Sequence, residues 1–102
     1  MYAVINNSDE YGNMDISVIE CQIIDREEKP EREDDTPMVK LSNNVFVHET
    51  MVCDSPDKAQ SLATWIADNY KRNTIDYIRR LHQEGKLTEE ARKRVPKSIL
   101  TA

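Results

Sequence analysis

Between residues 59 and 81, apolar or near-apolar side chains recur at every third or fourth position: Ala59, Leu62, Ala63, Ile66, Tyr70, Thr74, Tyr77, Ile78 and Leu81. That period sets them in one stripe along an α-helix, and a helix with one apolar stripe needs a second layer to cover it. Asp54, Ser55, Pro56 and Asp57 mark where the helix starts. Ser accepts from the first free N–H groups, Pro lacks the N–H that would go unbonded, and an acid meets the positive end of the helix dipole. Gly85 offers the left-handed freedom that ends a helix. Unbroken over residues 56–84, the helix would run about 43 Å, longer than a small sheet covers. The spacing therefore predicts that its last turns project or that it breaks near Asn73 and Thr74. Thr88 opens a short final helix as N-cap and Pro96 ends it, leaving Ile99 and Leu100 to dock the tail or fray with it.

The covering layer has to come from the first half. Tyr2, Ala3, Val4 and Ile5 alternate as a strand, and residues 16–24 form a nine-residue run rich in Ile and Val. Ile19, Cys21 and Ile23 fall on one face of that run and Ile16, Val18 and Ile24 on the other, which reads as a central strand. Residues 38–41 and 45–53 supply two further strands around a turn at Ser42, Asn43 and Asn44. The expected fold is one α+β domain over residues 1–102. It pairs a three- to four-stranded antiparallel sheet with a long C-terminal amphipathic helix and a short final helix.

Residues 25–36 interrupt this pattern, because ten of the twelve are charged, seven acidic and three basic. Such a composition cannot build a core, so residues 25–37 are expected to form a flexible, solvated loop. Charge also divides the whole chain. Residues 1–54 hold 13 Asp/Glu against 4 Lys/Arg, whereas residues 55–102 hold 6 against 10, within a total of −5. That polarity fits neither a uniformly basic nucleic-acid binder nor a uniformly acidic duplex mimic, and it suits a partner that is itself polarised.

The residues that carry chemistry are few. His48 and Glu49 alternate to opposite faces of a strand, which would aim His48 away from Cys53. His82, near the helix end, is accounted for by the dipole. No catalytic group, cofactor or metal site is expected, since the histidines, cysteines and acidic run match no ligand spacing and no glycine-rich phosphate loop occurs. Cys21 and Cys53 read as reduced and buried among apolar neighbours, with a disulfide between adjacent strands as the alternative. With no basic leader region and no apolar stretch of membrane length, the expected location is the cytoplasm.

Binding has more to stand on. Trp65 and Ile75 lie about 100° off the apolar stripe, so each needs cover from a second copy, another protein or the C-terminal segment. They form the expected protein-binding surface together with the acidic Glu31, Glu33, Asp34 and Asp35. The alternative is nucleic-acid association through Lys71, Arg72, Arg79, Arg80, Arg92, Lys93 and Arg94, with Tyr70 and Tyr77 assigned to the core. In size, acidity and lack of a catalytic signature the chain resembles the small accessory proteins of bacteria and their viruses. That resemblance is to no particular family and rests on no motif; with the uncovered Trp65 and Ile75, the expectation is a non-enzymatic regulatory or inhibitory module acting by protein contact, as a homodimer or with a hetero-partner.

Overall fold

In the computed structural model, which describes residues 1–27 and 37–101, both long strand-like runs break in the middle. The first forms β2 (Ile16–Glu20) and β3 (Ile23–Arg26), and the second forms β5 (Phe46–His48) and β6 (Val52–Cys53) around a 3₁₀ turn at Glu49–Met51. With β1 (Tyr2–Asn6) and β4 (Met38–Leu41), they build two antiparallel three-stranded sheets, in the orders β2-β1-β6 and β3-β4-β5. The α+β class stands, but two sheets replace the expected single one, and each broken run contributes a strand to both. The β1–β2 pair is antiparallel, with the Asn7 N–H donating to Asp15 O at 2.7 Å and the Cys21 N–H to Met1 O at 2.8 Å.

These breaks correct four expectations. The Ile-rich run is not central, because β2 and β3 are both edge strands, and Ile24 sits exposed at a bulge where the β3–β4 register slips. Asp25 and Arg26 belong to β3, opposite Lys40 and Val39, rather than to a loop. Glu27 follows them, its N–H donating to Met38 O at 2.9 Å, and residues 28–36 of the run lie outside the described residues. The 3₁₀ turn also ends the simple alternation of His48 against Cys53. Cys21 is buried, Cys53 is only half-buried, and both are free. They flank β1 from opposite sides, about 10 Å apart at ordinary strand spacing, which is beyond the reach of a disulfide.

The helical half begins as its cap residues dictate. Ser55 Oγ accepts the Lys58 N–H at 3.3 Å at the start of α1 (Pro56–Tyr70). α2 (Asp76–Gln83) ends in a Schellman pair, Gly85 N–H to His82 O at 3.1 Å and Lys86 N–H to Leu81 O at 2.8 Å, with Gly85 at φ +69°. Thr88 Oγ1 accepts the Ala91 N–H at 3.1 Å at the head of α3 (Glu89–Arg94), and Pro96 starts α4 (Lys97–Leu100), which buries Ile99. Among the described residues, no helix is long and apolar enough to cross a membrane.

By its internal packing the chain forms two compact units, Met1–Ile5 with Ser17–Thr64, and Asn6–Ile16 with Trp65–Ala102. The first is built on Ala3, Cys21, Val39 and Leu41, drawn from both sheets, with Ile5, Ile19, Val47 and Val52 packed around them. The second is built on Ile78, Leu87, Val95 and Ile99, with Tyr11, Ile75, Leu81, Ala91 and Leu100 around them.

Candidate functional site

The long helix does not break near Asn73. It widens there into a π turn, Lys71–Ile75, whose closing bond runs from the Asp76 N–H to Lys71 O, five residues back instead of four. Asn73, Thr74 and Ile75 are all modest helix formers, so this is where an α-helix yields most easily. One extra residue in a turn rotates everything after it by about 100°. The inward face after the turn is centred on Ile75 and Ile78, with Leu81 still packed beside them, while Tyr77 turns outward.

That rotation explains two departures from the sequence reading. Ile75 is covered after all, packed on the Ile78, Leu87, Val95 and Ile99 cluster. Tyr77, assigned above to the core, is 49% exposed with Arg80 lying over its ring at 5.4 Å. Such π turns are rare and recur at functional sites, which makes this segment the first place to look.

A cleft of about 330 Å³ opens beside it. Asn73 and Thr74 of the π turn, Tyr77, Ile78 and Leu81 of α2, and Leu87, Ala91 and Val95 further on form most of its wall, which Glu10 and Tyr11 complete. The loop carrying those last two residues is tightly tied. The Asp9 carboxylate accepts the Tyr11 N–H at 2.8 Å, the Asn13 N–H at 3.1 Å and Asn13 Nδ2 at 2.7 Å. Desolvation pushes the Asp9 carboxyl up, but these three bonds together outweigh it and hold the group below its ordinary 3.8.

Further ties fix the loop to the helices of the same unit. Tyr70 Oη donates to Asp9 O at 2.7 Å and Asn13 Nδ2 to Arg94 O at 3.2 Å, while desolvation, and after it the charge of Asp9, raises the Tyr70 phenol above 10.0. Gly12 stands at φ +95°, a conformation that favours glycine, and a Cβ there would come within 2.5 Å of the Ile99 Cδ1 methyl, which would have to move aside.

The expected binding residues fall unevenly around this site. Trp65 is 64% exposed on α1, its carbonyl accepting Asn69 Nδ2 at 2.8 Å, and Ile75 lies on the inner side of the π turn. Glu31, Glu33, Asp34 and Asp35 lie outside the described residues. Lys71, Arg72, Arg80, Arg92 and Lys93 are exposed without an ion-pair partner among the described residues. Arg79 faces Asp76 at 3.7 Å, and Arg94 faces Glu90 at 3.5 Å and donates to Tyr11 Oη at 3.1 Å.

Glu10, Tyr11, Leu87 and Ala91 were not singled out from the sequence. The usable signal was the overlong helix, which flagged residues 73 and 74. Nothing pointed to a loop more than 60 positions earlier in the chain. A second hollow, of about 390 Å³, lies in the first unit between Asp25, Arg26, Glu27, Met38, Lys40 and Phe46. No group of three or more metal-ligating side chains occurs among the described residues. The chain matches no protein family, and no curated protein or solved structure matches it.

Proposed function

We propose that this protein is a non-enzymatic regulatory or inhibitory module that works by binding another protein, and that the cleft at the π turn receives the partner. The observation that carries this reading is the make-up of the cleft. Its floor is aliphatic, with Ile78, Leu87 and Val95, and its rim presents the half-exposed Tyr77. A preformed apolar hollow with an aromatic at its edge is the kind of surface that anchors a partner's side chain. The exposed Trp65 adds a second residue of the type enriched in binding hot spots.

The test is affinity capture of partner proteins with the unmodified chain and with Ala91→Trp, which fills the cleft. Loss of a specific partner in the variant, while binding survives in 0.5 M salt, supports the reading. Capture indifferent to Ala91→Trp contradicts it.

Nucleic-acid association is the second reading, favoured by the exposure of Tyr77 with Arg80 over its ring and by the exposed Lys71 and Arg72 at the head of the π turn. Its mark would be binding that weakens steeply as salt rises, because phosphate contacts release counterions.

A further inference from the structure

We propose that the cleft selects an acidic segment of a partner protein, one in which an apolar side chain is flanked by carboxylates. This rests on the protein-binding reading above and narrows it. Both tyrosines in the cleft wall carry a guanidinium on their rings, Arg80 over Tyr77 at 5.4 Å and Arg94 over Tyr11 at 5.2 Å. The ring restrains the guanidinium beneath or above it, and the N–H groups of Arg80 are left to take a carboxylate, whereas Arg94 already gives one nitrogen to Tyr11 Oη at 3.1 Å.

Arg80 has no carboxylate partner among the described residues. Arg94 has Glu90, but at 3.5 Å and with that side chain 83% exposed the pair is worth little in water, and an incoming carboxylate can replace it. Lys71 and Arg72 enter the same π turn that lines the cleft, also unpaired. Against these cations the lining contains one acid, Glu10.

The floor decides between an acidic peptide and a phosphate backbone, both of which cations attract. Bases bind by stacking on open aromatic faces. Here each tyrosine already has an arginine on one face, and the cleft they share is lined mostly by apolar side chains, Ile78, Leu81, Leu87, Ala91 and Val95. A hollow of about 330 Å³ with Ile78, Leu81, Leu87 and Val95 in its lining, and an arginine against each of its two tyrosines, suits an apolar anchor flanked by acids.

The experiment measures fluorescence anisotropy with two short labelled peptides that share Leu and Phe anchors, one flanked by Asp and Glu and the other by Lys. The acidic peptide should bind about tenfold more tightly at low salt, and Arg80→Glu should erase or reverse that preference. Ala91→Trp should abolish binding of both. Should that variant fold poorly, Asn73→Trp at the exposed rim blocks the cleft without touching its floor.

Equal binding of the two peptides, lost on blocking the cleft, would overturn the acidic preference and leave the protein-binding site standing. Binding of neither, or binding indifferent to a blocked cleft, would overturn both. An oligothymidine displacing the acidic peptide, with affinity falling steeply in salt, would assign the arginines to nucleic acid and overturn the proposal.

Discussion

The two units are close in length but differ in how they are closed. In the first, strand pairing seals the interior, and Ala3, Val39 and Leu41 have no exposed surface at all. In the second, Ile78, Leu87, Val95 and Ile99 each keep a few per cent of their surface, and a cleft opens onto three of them. Charge divides along the same boundary, −6 over the residues of the first unit and +1 over those of the second. The sheet core itself has no opening, and the hollow of that unit, between Asp25, Arg26, Glu27, Met38, Lys40 and Phe46, has none of the fully buried Ala3, Val39 and Leu41 in its lining. A helical cluster under one widened turn leaves an apolar opening, and it needs straps such as Asp9, Gly12 and Tyr70 to keep its shape.

Substitutions can test that contrast. Leu41→Ala removes a fully buried side chain from a core with no opening through which to relax, so it should cost about 2–5 kcal/mol in denaturant unfolding. A loss well under 1 kcal/mol would mean that the first core is not closed. Gly12→Ala puts a Cβ on a left-handed backbone and makes the Ile99 methyl give way, for roughly 1–2 kcal/mol from the backbone, read as faster amide exchange in the second unit. Near-neutral behaviour there would show that the 6–15 loop does not strap the helices.

Tyr70→Phe removes one bond to a carbonyl and should cost about 1 kcal/mol. The same strap has a pH dependence. Because the Asp9 carboxyl is held below 3.8 in the folded chain, its contribution is present above that value and disappears as pH falls through the lowered folded value. Acid should therefore loosen the loop, and Asp9→Asn should remove that part of the dependence. The smallest effect is expected for Trp65→Ala, within about 0.5 kcal/mol for the monomer because the side chain is mostly exposed. If sedimentation shows a dimer, this substitution should shift it toward monomer.

What was readable in the sequence was local chemistry. Ser55, Gly85 and Thr88 cap their helices because the groups they satisfy lie within a few residues. The runs over residues 16–24 and 45–53 were recognisable as strands, but their breaks were not, because pairing with β1 and β4, distant in sequence, decides where a strand changes sheet. Asp25 and Arg26 read as loop for the same reason, since a polar edge strand is made by its neighbour rather than by its own composition. Tyr77 and Ile75 exchanged roles because 3.6 residues per turn was assumed through a segment that has one more. The cleft combines that shift in phase with a distant loop, and neither is visible in a periodicity.

The most direct test follows backbone amide shifts by NMR while the acid-flanked Leu/Phe peptide is added to the full chain. The account predicts that the largest changes fall on Tyr11, Asn73, Thr74, Tyr77, Leu87 and Ala91, and that the amides of β3 and β5 stay still. Changes centred on Ile24, Lys40 and Phe46, with the π turn unmoved, would place binding on the sheet unit and contradict it.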